Sequence, residues 1–141
     1  FAAGRLLGPM TRIRRTVGVP LAGSPAARRV LLWGAIAEPQ RLPSTDARMM
    51  LEASRGSKRI GAAVETVLEA DLRPSLERLV APLGLIWGKR DRVVPISALE
   101  RIRTVRPDAV VETIDDAAHV PQLEHPREYV AVLRRVLDKL G

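Results

Sequence analysis

Two short apolar runs, Leu83–Gly88 and Ala109–Ile114, flank a single amphipathic stretch, and no other feature limits the fold of this chain so strongly. Pro82 precedes the first run and Gly88 closes it, as expected of a short strand buried on both faces. Between the runs, Ser97 with Glu100 three residues on matches a capping box, which opens a helix directing Ile96, Leu99, Ile102 and Val105 toward a sheet. Strand, helix, strand at this spacing is the mark of a parallel pair, because parallel neighbours need a crossover connection. A last helix starts at Pro126, repeats Tyr129, Leu133, Val136 and Leu140, and stops at Gly141. Residues 71–141 are therefore expected to be a strand-bearing α/β segment.

Upstream, the apolar spacing is helical throughout. Leu6, Met10, Ile13 and Val17 form one stripe, ended by Gly18 and Pro20. Ser24-Pro25 reads as an N-cap followed by proline at the first helical position, opening a helix through Val30, Trp33 and Ile36 that ends near Pro39. A third helix starts at Ser44, Thr45 or Asp46 and carries Met49, Met50 and Ala53; a fourth runs from about Lys58 through Ile60, Val64, Val67 and Leu68. Residues 1–70 are thus expected to form a helical lid, or cap, rather than a sheet layer. An isolated strand pair is marginal and cannot bury helices on both faces. More sheet is needed, either a missing N-terminal half of the fold or a second chain that supplies it. The chain opens on Phe1 with no polar lead-in, which suggests a fragment or processed product.

The composition, 46% hydrophobic and 28% charged, is that of a soluble globular protein. No apolar run approaches the roughly 20 residues needed to cross a bilayer, and the N-terminus lacks the order of a secretory signal, so a cytoplasmic location without a membrane partner is the default. Cysteine is absent, and the two histidines stand apart from any carboxylate cluster, so no metal and no cofactor are expected. The net charge of +7 is lopsided: residues 1–60 carry +8 and the remainder −1. A non-enzymatic basic helical module binding an acidic partner or nucleic acid is therefore the competing reading. Against it, twenty of the 23 basic residues are arginines spread singly or in pairs, with four aromatic residues to stack on bases. That pattern suits a solvated helical face, and nucleic acid is not expected as a partner.

Parallel strands joined by one crossover lie about 4.8 Å apart, and ligands in such sheets bind beyond the strands' carboxyl ends. Asp91 lies three residues past the first run and His119 five past the second, so their loops share one edge. A carboxylate there can accept a hydrogen bond from the imidazole, fix its tautomer and stabilise the imidazolium while the other ring nitrogen takes a proton from a nucleophile. Taken singly, the aspartate reads as a turn residue and the histidine as a solvated side chain. Asp115 and Asp116 are alternative partners for His119, although they fit better as the turn closing the strand. His125 suits capping of the last helix, and Glu124 suits a structural role.

Trp87-Gly88-Lys89-Arg90-Asp91-Arg92-Val93-Val94-Pro95 resembles the W-G-x-x-D-x-x-V-P block that carries the acid in lid-bearing α/β-hydrolases. Asp116-Ala117-Ala118-His119-Val120-Pro121, continuing to Glu124-His125-Pro126, resembles their histidine block, G-x-G-H-x-P followed by E-x-P. Acid then histidine is also the family order. Asp71-Leu72-Arg73-Pro74-Ser75-Leu76-Glu77 is similar to the family's return from lid to core sheet. Two departures stand out. Ala118 replaces the glycine usual before the histidine, and no Gly-x-Ser-x-Gly elbow occurs in the sequence.

The resemblance implies a partial α/β-hydrolase fold, a helical lid followed by the last two parallel strands with flanking helices. It implies Asp91 as orienting acid, His119 as general base and a nucleophile supplied from elsewhere. It leaves open an esterase with a serine nucleophile and an epoxide hydrolase or dehalogenase with an aspartate, in which the histidine activates water. The substrate is expected to be a small, fairly apolar molecule. Met49, Met50, Trp33 and Val120, with Met10, are candidates to line its pocket. Ser24 lies between small residues in Ala22-Gly23-Ser24-Pro25-Ala26 but follows no strand. Pro25 also removes the backbone N–H that completes an oxyanion hole, so helix capping is its expected role.

Overall fold

The computed structural model describes residues 17–56 and 71–141. They form two compact units, one of residues 17–33 with 38–56 and the other of residues 34–37 with 71–141. Most of the stripe from Leu6 to Val17, and the helix expected from Lys58, lie outside the described residues.

The first unit is built from helices α1 (Val19–Leu21), α2 (Pro25–Leu31) and α3 (Ser44–Gly56). Ser24 caps α2 as expected: its backbone is extended and its Oγ accepts from the Ala27 N–H at 3.4 Å, with Pro25 at the first helical position. The helix stops at Leu31 rather than near Pro39, and Gly34 then takes φ +88°, a left-handed conformation that cannot continue it. The buried face of α2 also differs from expectation. Arg28 and Leu31 are buried, whereas Val30 and Trp33 are exposed. The Arg28 guanidinium donates to the carbonyls of Ala22 (2.8 Å), Gly23 (3.0 Å), Gln40 (3.0 Å) and Pro39 (3.3 Å). With four hydrogen bonds to backbone carbonyls, this buried cation closes the turns at both ends of α2. On α3, Ala47 and Leu51 face inward, and Leu51 packs on Gly18.

The second unit runs α4 (Arg73–Glu77), β1 (Gly84–Gly88), α5 (Ser97–Val105), β2 (Val110–Ile114), α6 (Pro121–Glu124) and α7 (Pro126–Leu140). The strands are parallel, in register from Gly84 opposite Val110 to Gly88 opposite Ile114. Helix α7 lies against this pair, its Val132 and Val136 buried with Ile114 and Ala117, and Ile86, Val110, Tyr129 and Leu140 around them. Gly84 permits this approach, because a Cβ there would strike Val136. The strands are mostly half-buried rather than buried on both faces, since each has the other as its sole strand neighbour among the described residues. The expected capping box at Ser97 is absent: the cap position falls on Ile96, and no side chain caps the helix. Ile96 is accordingly exposed, while Ala98 and Leu99 are buried.

Arg106, which ends α5, fixes the entry to both strands. It grips Asp108 in a two-pronged pair, Nε to Oδ1 at 2.9 Å and Nη2 to Oδ2 at 2.7 Å. It also donates to the carbonyls of Leu79 (3.0 Å) and Ala81 (3.3 Å), in the segment leading into β1. The hydrogen bonds from Arg106 hold the Asp108 carboxyl below the usual carboxylate range. A carboxyl lowered in the folded state contributes stability above its unfolded pKa of about 3.9 and loses it as pH falls through the lower folded value. Urea unfolding of Asp108→Asn is therefore expected to show a smaller loss of stability than wild type as pH falls from about 5 toward 2.

The carboxyl end of β1 is held closest of all. A Cβ on Gly88 would overlap the carbonyl oxygens of Ala117 and Ala118, nearer than side-chain carbons approach in real structures. Gly88→Ala is expected to destabilise the chain by about 1–3 kcal/mol in urea unfolding, because the obstacle is backbone and cannot rotate away.

Candidate active site

Where β1 ends, the chain turns at once, the Asp91 N–H donating back to the Gly88 carbonyl at 3.2 Å. The Lys89 N–H extends the strand pairing to the Ile114 carbonyl (3.0 Å), and the Arg90 N–H reaches the Ala117 carbonyl (2.9 Å). Two backbone bonds thus tie the loop after β1 to the end of β2 and to the loop that follows it. Side chains add exposed ion pairs, Lys89 to Asp115 at 2.8 Å and Arg90 to Asp116 at 3.8 Å, which carry little energy in water. Asp115 and Asp116 therefore pair across the loops and leave His119 to another carboxylate.

That carboxylate is Asp91. Its Oδ2 lies 2.9 Å from His119 Nδ1, and its Oδ1 accepts from the N–H groups of Val93 (2.8 Å) and Val94 (2.9 Å). The Asp91 side chain is 6% exposed and that of His119 is 42% exposed. A nearly buried carboxylate with three donors around it is held in one orientation, and an imidazole tied through Nδ1 presents its other nitrogen for proton transfer. The Trp87 indole N–H donates to the Val94 carbonyl at 3.1 Å and so ties the segment that holds Oδ1 to β1.

The histidine loop is braced from a second side. His119 N–H donates to the Ala35 carbonyl at 3.0 Å. Glu124 Oε1 accepts from the N–H groups of Ala118 (2.8 Å) and Val120 (3.4 Å), and its Oε2 from that of Ala37 (2.6 Å). Ala118, which replaces the usual glycine, is not strained: no residue other than glycine has positive φ among those described. His125 occupies the N-cap position of α7 as expected, but caps through its backbone: its carbonyl accepts the Tyr129 N–H, while its ring Nε2 lies 3.2 Å from the Asp116 carbonyl.

Val120, half-buried, follows His119 directly in the α/β unit. Met49 and Met50 on α3, and Trp33 just past α2, belong to the helical unit, where Trp33 and Met49 are exposed. Met10 lies outside the described residues. Ser24 Oγ is the α2 cap acceptor. Among the described residues no group of three or more His, Asp or Glu could hold a metal ion, and no helix is long and apolar enough to cross a membrane.

Residues 1–132 match the family model described as "Alpha/beta hydrolase family". A pimeloyl-[acyl-carrier protein] methyl ester esterase of Chromobacterium violaceum is 32% identical over 106 residues, covering 70% of this chain and 42% of the relative. The enzyme of the same name from Aromatoleum aromaticum is 33% identical over 78 residues, 55% of this chain and 31% of the relative. A solved structure described as a membrane phospholipase A, a bacterial virulence factor, superposes with TM-score 0.63 at 26% identity over 86% of this chain and 40% of its own. The matches thus span between about a third and two fifths of these relatives' lengths. With the family model covering nearly the whole sequence and the parallel strand pair in place, the chain belongs to the alpha/beta hydrolase family.

Proposed function

We propose that this chain provides the acid and the base of a hydrolase that cleaves a small, fairly apolar carboxylic ester, with the nucleophile and oxyanion hole supplied by sequence outside these 141 residues. One observation carries the reading: the 2.9 Å contact between His119 Nδ1 and Asp91 Oδ2 at the shared carboxyl edge of β1 and β2. In the first step His119 Nε2 takes the proton from an upstream serine as its oxygen attacks the ester carbonyl. Asp91 holds the Nδ1–H tautomer and stabilises the imidazolium. His119 then gives the proton to the departing alcohol, and the cycle repeats with water to release the acid. Asp91 thus acts without itself taking the proton.

The names of the relatives favour an ester over an epoxide or alkyl halide, since two of the most similar are methyl ester esterases. In this reading residues 1–70 are the lid segment, with Met49, Met50 and Trp33 as its apolar candidates for substrate contact, and Val120 is the candidate next to the base. No cofactor enters the reaction. The absence of a Gly-x-Ser-x-Gly elbow from the sequence and the engagement of Ser24 as a helix cap support a nucleophile from elsewhere.

Two measurements test this. A fluorophosphonate probe is expected to leave the 141-residue chain unlabelled, and labelling at Ser24 overturns the assignment of the nucleophile. In the hydrolase that carries this chain with its upstream sequence, Asp91→Asn is expected to lower kcat for p-nitrophenyl esters by about 10⁴-fold, and His119→Ala by at least about as much. Full activity in either variant rejects the proposed roles.

A further inference from the structure

His119 sits in a loop, and a loop does not by itself hold a side chain to within the tolerance that proton transfer requires. The three consecutive N–H groups at Ala118, His119 and Val120 are all committed. The middle one donates to the Ala35 carbonyl, and the two flanking it converge on a single carboxylate oxygen, Glu124 Oε1. The other oxygen of Glu124 takes the Ala37 N–H at 2.6 Å, the shortest of the three contacts. Residues 34–37 are distant in sequence from α6, yet they belong to the same unit as His119. Glu124 and the Ala35 carbonyl therefore form a clamp, one holding the peptides on either side of the histidine and the other holding the histidine's own. Ala118 is 2% exposed, so its N–H has little access to a replacement acceptor in water.

We propose that Glu124 is a positioning residue for His119, acting through its carboxylate oxygens on the backbone rather than on the imidazole or the substrate. The inference rests on the role assigned to His119 above. The chemistry demands a carboxylate: three donors converge on two oxygens, and a carboxylate accepts at both, with stronger bonds than a neutral amide forms. Glutamine has the same shape but one acceptor oxygen. Its NH₂ group would meet a backbone N–H donor to donor at either Ala37 or the Ala118–Val120 pair. One half of the clamp must open, and the backbone of His119 gains freedom although no atom near the reaction has been removed.

The test is Glu124→Gln, read in two ways. In the hydrolase carrying this chain, kcat for a p-nitrophenyl ester is expected to fall between about 10- and 100-fold with KM changed less than about twofold, because the base is displaced while every side chain proposed to contact the substrate remains. In the 141-residue chain, amide hydrogen exchange at Ala37, Ala118 or Val120 is expected to quicken by about 10-fold or more, while exchange at Val132 and Val136 of α7 stays at its wild-type rate. Unchanged kcat in Glu124→Gln overturns the proposal, as does a loss confined to KM. If His119→Ala is inactive and Glu124→Gln is fully active, the clamp alone fails. If both are fully active, the role of His119 fails with it. Should Glu124→Gln not fold, the wild-type chain decides: through-hydrogen-bond NMR couplings from the Ala37 and Ala118 amide nitrogens to the Glu124 carboxylate carbon support the clamp, and their absence overturns it.

Discussion

The hydrogen bond between His119 and Asp91 depends on how closely two loops can approach beyond the ends of two parallel strands. In-register pairing from Gly84–Val110 to Gly88–Ile114 brings the strand ends level, and the missing side chain at Gly88 lets the carbonyls of Ala117 and Ala118 pass over the first loop. Backbone bonds from Lys89 and Arg90 then hold the two loops in contact. Only after these steps does a carboxylate three residues past one strand meet an imidazole five residues past the other. The site is a property of the strand pair, with the helices serving to keep that pair in place.

Around this contact the molecule holds polar groups by convergence rather than by isolated bonds. Asp91 receives two backbone amides and the imidazole, and Glu124 receives three backbone amides. Arg28 in the helical unit and Arg106 in the α/β unit do the reverse, the first donating to four carbonyls and the second to two carbonyls and the Asp108 carboxylate. Each of these side chains is placed where irregular backbone would otherwise be left without partners, which is costly away from water. Arg106 ties the approach to β1 to the approach to β2, while Asp91 and Glu124 order the segments that leave them. The strand pair is thus fixed at both ends.

Much of this was legible in the sequence because short-range rules govern it. The strand runs, the N-cap at Ser24, the final helix from Pro126 and the positions of Asp91 and His119 follow from periodicity, breakers and the distance of each residue from a strand end. Features set by tertiary contact were not legible. The second helix was expected to pass Trp33 and Ile36, but Gly34 turns left-handed and the following residues join the other unit. Arg28 gave no sign of burial, since arginine on an amphipathic helix ordinarily reads as solvated. The capping box at Ser97 is a local signal that the chain does not use. Glu124 reads as structural, and its backbone contacts agree, yet one of its three partners, Ala37, lies 87 residues away, and spacing arguments do not extend that far.

If Asp91 sets the tautomer of His119 as proposed, long-range ¹H–¹⁵N correlation spectra of the histidine-labelled chain report it through the ring nitrogen that carries the proton. The expected result is a proton on Nδ1 of His119, and loss of that preference in Asp91→Ala. A ring protonated on Nε2 in the wild type, or a spectrum unaltered by removing the carboxylate, contradicts it.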